Sequence, residues 1–86
     1  MPRISAFYGI VVMMYGNDHA PPHFHARYGE YEAKIAIATG EPIAGRLPTR
    51  AVRLVREWAG LHREELQANW ESARARTPLA SIDPLP

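Results

Sequence analysis

Three of the chain's four histidines fall within seven positions, in the run Asp18-His19-Ala20-Pro21-Pro22-His23-Phe24-His25. Imidazole both exchanges protons near neutral pH and ligates metals. His23 and His25 stand at i, i+2, so on a strand they project from one face. Phe24 and Ala26 alternate with them, which makes the histidine face the polar one. Pro21-Pro22 stiffens the approach and limits how far His19 can stray.

Two chemistries fit this run. His19, His23 and His25 make a half-cage for a divalent metal such as zinc. Asp18 is then a fourth ligand, or the group that orients a ring from behind. Without a metal, His23 and His25 suit base and acid in the cleavage of a phosphodiester. Arg27 or Lys34, on the same face, would stabilise the phosphorane. The plain alternative is a solvated hairpin face whose histidines make structural hydrogen bonds.

Two further groups carry charge or polarity in unexpected places. Arg46, Arg50, Arg53 and Arg56 come with no acid before Glu57. Positive charge near a helix N-terminus opposes the macrodipole, so helix stability does not explain it. An anionic partner does, whether RNA, DNA or an acidic protein surface. The alternative is a solvated charged face, which fits a net charge of only +1. His62 and Asn69 fall on the apolar arc of the same helix. Buried polar groups need partners, so they are expected to fix the helix register rather than join the histidine site.

The elements that position these groups follow from periodicity. Gly9 to Tyr15 is rich in β-branched residues and ends at Gly16-Asn17-Asp18, a strand and a turn. His23 to Tyr28 and Tyr31 to Ala38 form a hairpin around Gly29-Glu30, a type II′ turn. Pairing Tyr28 with Tyr31 sets Ala26 opposite Ala33 and Phe24 opposite Ile35 on one apolar face. It sets Arg27 opposite Glu32 and His25 opposite Lys34 on the other. Ile43 to Leu47 is expected as a short fourth strand at an edge.

Leu47-Pro48-Thr49 opens a helix running to about Arg76, with Thr49 as its cap. Ala51, Leu54, Val55, Trp58, Leu61, Leu66, Trp70 and Ala73 share one broad arc, and the charged residues lie opposite. Gly60 interrupts the pattern and is where a kink can enter. The tail, residues 77–86, carries Leu79, Ile82 and Leu85 among prolines and is expected to pack in extended form. The expected architecture is α+β, one domain over residues 1–86. It has a three- to four-stranded antiparallel sheet over about residues 4–47, one long helix over about 49–76, and the tail.

The bulk composition narrows the class. At 86 residues the chain suits one domain with a thin stability margin. The absence of cysteine excludes disulfides and thiolate sites. No apolar run reaches the length of a membrane span, and no signal-peptide core precedes the first strand, so a cytoplasmic protein is expected. Val11, Met13 and Tyr15 face away from the helix, so that face is expected to take a second copy, a partner or the tail.

Specific motifs add a resemblance. They are I-S-x-F-x-G-I (Ile4 to Ile10), N-D-H-x-P-P-H-F-H (Asn17 to His25), Y-G-E-Y-E-A (Tyr28 to Ala33), G-x-L-P (Gly45 to Pro48) and E-W-x-x-L-H-x-E-E-L-x-x-N-W (Glu57 to Trp70). With these the chain resembles the small bacterial proteins grouped as domain-of-unknown-function family 4160, over nearly its whole length. Gly60 departs from the larger residue expected there. The resemblance implies a gene neighbour encoding a second small protein, in a toxin–antitoxin-like pair, and it implies no catalytic residue. The favoured expectation is one member of such a two-protein module, a small endoribonuclease working through the histidine run. The rivals are a non-enzymatic module binding nucleic acid or its partner, and a metal-binding protein without turnover.

Overall fold

The computed structural model describes residues 3–86. Five strands, β1 (Arg3–Phe7), β2 (Ile10–Met13), β3 (His23–Tyr28), β4 (Tyr31–Ala36) and β5 (Pro42–Arg46), precede two helices, α1 (Thr49–Leu61) and α2 (Arg63–Arg74). Each strand pairs antiparallel with the next, giving the order β1-β2-β3-β4-β5. The α+β class holds. The sheet has five strands rather than three or four, and the helix is broken in two.

The central hairpin has the expected register, with Tyr28 opposite Tyr31, Ala26 opposite Ala33, Phe24 opposite Ile35, Arg27 opposite Glu32 and His25 opposite Lys34. Gly29 has φ +59 and Glu30 has no positive φ, as a type II′ turn requires. The extra strand is β1. It turns into β2 through Tyr8 and Gly9, at φ 48 and 82. Two positive φ values in a two-residue loop match a type I′ turn, which ordinarily shows itself as Asn-Gly. Tyrosine in the first position hides the signal.

One sheet face builds the core. Phe7, Ile10, Val12, Phe24, Ala26, Ala33 and Ile35 pack with Val55, Trp58, Leu66 and Trp70 from the helices. Trp58 is fully buried and meets Phe7 and Phe24 at ring-centroid distances of 5.2 and 5.7 Å. Leu61, expected on the buried arc, is instead 62% exposed. The cause is the helix break at His62, where φ −123 and ψ 27 leave the helical region. Gly60, the expected weak point, stays inside α1. The His62 ring lies 5.6 Å from the Trp58 ring, and its Nδ1 is 2.6 Å from Glu65 Oε1. Pro48, not Thr49, occupies the α1 N-cap, and no side chain caps it.

The tail closes the helix side of the core, not the histidine face. Ile82 and Leu85 join the core cluster. The Ile82 N–H donates to Ile4 O at 2.9 Å, so the tail covers the outer edge of β1. Asn69 accepts from Ala80 N at 2.9 Å and donates to Ala80 O at 2.8 Å. On the other face Met13 is 1% exposed, beneath Tyr15 and Arg27, whose Oη and Nη2 lie 3.6 and 3.8 Å from its sulfur. No helix among the described residues is long and apolar enough to cross a membrane.

Candidate metal centre

Strand β3 brings His23 and His25 to the sheet face opposite the main core, as alternation requires. Both are buried, at 3% and 8% exposure, so the plain alternative of a solvated hairpin face does not describe them. The His23 ring packs on Trp70 of α2 at 5.3 Å, so the helix layer reaches this end of the sheet after all. The His25 ring stands edge-on to Tyr15 at 4.7 Å.

Asp18, in the loop between β2 and β3, aims one oxygen at both rings. Its Oδ2 lies 2.9 Å from His25 Nε2 and 3.2 Å from His23 Nε2. The first contact is a hydrogen bond. The second is close but badly aligned, and His23 Nε2 has no hydrogen-bond partner. The distance marks proximity and the missing bond marks the geometry, so we read His23 Nε2 as a buried lone pair without a donor.

The far nitrogens explain why. His23 Nδ1 is 2.8 Å from Pro21 O. A carbonyl oxygen only accepts, so Nδ1 carries the proton, and on a neutral ring Nε2 is then the bare nitrogen. His25 Nδ1 lies 3.4 Å from Glu32 Oε2. Each imidazole thus has an oxygen behind it and turns its other nitrogen inward. A metal-ligating histidine usually has this arrangement, which fixes its tautomer and ring orientation. His23 already has that tautomer, whereas His25 must give up the Nε2 proton it donates to Asp18 before it can ligate.

Asp18 Oδ2 and the two inward nitrogens all lie within 4.8 Å of one another. Tetrahedral ligands at about 2.0–2.1 Å from zinc stand about 3.3–3.4 Å apart. Asp18 Oδ2 stands within tenths of an ångström of that spacing from both nitrogens, and the two nitrogens, within 4.8 Å of each other, set how far the rings must close on an ion.

The other expected site residues disperse. His19 is exposed and outside the cluster. Arg27 and Lys34 share the histidine face and are exposed, and Arg27 Nε is 3.7 Å from Glu32 Oε1. Arg46 lies over the Tyr31 ring at 5.8 Å, and Arg56 pairs with Glu41 at 3.2 Å. Arg50 and Arg53 are exposed on α1. His62 and Asn69 serve the helices and the tail. Glu32 was missed as a site residue. Its cross-strand pairing with Arg27 was visible, but a carboxylate beside a β3 residue also reaches the diagonal neighbour, here His25.

A family model described as a domain of unknown function (DUF4160) matches residues 9–71, a span that contains the whole Asp18–His25 run. No curated protein and no solved structure matches the chain.

Proposed function

The chain belongs to the DUF4160 family, and from that premise we propose that Asp18, His23 and His25 bind one divalent metal ion, zinc in the first instance. One observation carries the reading: a histidine nine-tenths buried, its Nδ1 committed to Pro21, presents an unpartnered Nε2 to a carboxylate and a second imidazole. Leaving such a nitrogen buried and unpaired costs about 1–3 kcal/mol, a cost that a metal removes. Two imidazoles and one carboxylate are a donor set that zinc accepts, with a fourth position left for water or a ligand. Asp18 has the most exposed side chain of the three and marks the side from which that position is reached.

This reading is better supported than a free acid–base pair on RNA. At 3% and 8% exposure the two rings are closed to a polynucleotide phosphate, whereas an ion reaches them past Asp18. The two-protein setting belongs to the same proposal, and co-purification with the product of the neighbouring gene tests it.

The direct test is titration of the chelator-treated protein with Zn²⁺ by calorimetry, with Co²⁺ as an optical reporter of coordination. One saturable site is expected. Asp18→Asn keeps the shape of a largely buried loop side chain and removes its charge. It should weaken binding by at least about tenfold while the fold persists. A protein that takes up no metal, or a variant that binds as tightly as the parent, overturns the proposal.

A further inference from the structure

The register of the meander places charge in a pattern that the sequence does not display. Cross-strand partners share a face, so the pairs Arg3–Met13, Met13–His25 and His25–Lys34 form one row across the sheet. Arg27, Glu32 and Arg46 stand in the next row. This is the face opposite the main core, met by α2 only at its His23 end, through Trp70. Four cations occupy it beside a single strand-borne carboxylate, although the whole chain carries a net charge of only +1. Arg3, Lys34 and Arg46 are exposed and form no ion pair among the described residues, and the Arg46 guanidinium rests over the Tyr31 ring at the sheet's edge. Glu32 is shared loosely, at 3.7 Å from Arg27 Nε and 3.4 Å from His25 Nδ1.

We infer that this face binds the backbone of single-stranded RNA. Adjacent strands lie about 4.8 Å apart, so Arg27 and Arg46 are separated by about 10 Å and Arg3 and Lys34 by about 14 Å. One phosphate cannot span such distances, whereas a chain of phosphates meets several cations together. Arg3 and Arg27 also line one hollow with Val11 and Met13, a place where charge and an apolar floor meet. An open sheet face accommodates an unpaired strand, its cations tracking the backbone. Glu32 decides between the two nucleic acids. It is a half-exposed acceptor among donors, and a ribose 2′-hydroxyl can donate to it where deoxyribose offers nothing.

The inference does not rest on the metal reading, and its test separates them. Binding of a short oligouridylate is measured in chelator by fluorescence anisotropy over a range of salt. The double variant Lys34→Ala/Arg46→Ala should lose at least about tenfold in affinity, and its log–log salt slope should become shallower by about 1.4. Arg50→Ala/Arg53→Ala removes the same charge from the surface of α1 and should bind like the parent. Circular dichroism checks both folds, and all four positions are exposed. Equal losses from the two doubles would reduce the effect to net charge and overturn the site. So would absence of binding by the parent, or preference for an acidic peptide. Equal affinity for oligodeoxythymidylate would overturn the role of Glu32 and the choice of RNA.

Discussion

The chemistry of the centre turns on which nitrogen of each imidazole carries the proton. For His23 the backbone decides, because Pro21 O accepts from Nδ1. For His25 the oxygen behind the ring belongs to a side chain, Glu32, 3.4 Å from Nδ1, which a substitution can remove. Nδ1 donates to it only once the proton that Nε2 gives to Asp18 has moved or left. Glu32→Gln keeps the length of the side chain and removes the negative charge behind the ring. Loss of such a supporting carboxylate typically costs about 10–100-fold in metal affinity. The same calorimetric titration with Zn²⁺ is expected to show a loss in that range at unchanged stoichiometry. An affinity equal to that of the parent would falsify the orienting role and leave the three ligands untouched. The histidine pair was legible because i, i+2 on a strand fixes a common face. Burial was not, since it depends on Tyr15 and Trp70, which approach from other elements. The place of Asp18 was left between ligand and orienting group because its loop conformation sets that choice.

The elements were legible wherever side-chain period and local turn chemistry agreed. Tyr28 to Tyr31 is the clear instance: alternation, Gly29 and an opposite-charge pair all demand one register. β1 escaped because its turn uses Tyr8 at positive φ. The helix break escaped for a different reason. His62 has no intrinsic breaking propensity, and its ring is held by Trp58 and Glu65, contacts that exist only once α1 and α2 are formed. Gly60, which local propensity does flag, is exposed, helical and free of neighbours, and a Cβ placed there meets nothing within 4 Å. Gly60→Ala should therefore stabilise the protein by about 0.5–1 kcal/mol, through lower entropy of the unfolded chain. The midpoint of urea unfolding should rise at constant slope. A fall would mean that the glycine is needed for the bend at His62.

At the scale of the whole molecule, the two segments outside the family match pack on each other. Ile82 N–H donates to Ile4 O, and Tyr8 Oη donates to Pro86 O at 2.6 Å. The sequence marked Leu79, Ile82 and Leu85 as apolar but could not say which sheet face they meet. The answer depends on Asn69, 3% exposed, which binds both backbone groups of Ala80 and sets the path of the tail. Trp58 Nε1 then donates to Asp83 O at 2.8 Å, so the largest core side chain has its polar atom satisfied only by the tail. Truncation after Thr77 removes all of this together. It uncovers apolar surface that Ile82 and Leu85 fill, at about 1.5–3 kcal/mol for each buried side chain. It also strands the Trp58 N–H and the Asn69 amide, at about 1–3 kcal/mol for each group that stays dry. Against a typical margin of about 5–15 kcal/mol, at the low end for so small a chain, the shortened protein should sit near its unfolding midpoint without denaturant. The uncovered β1 edge should make its residual folded fraction self-associate. Urea unfolding monitored by tryptophan fluorescence, with sedimentation at several concentrations, measures both effects. A truncated protein that keeps the parent's midpoint and its sedimentation behaviour would show that the sheet and helices suffice, and that the tail merely lies on them.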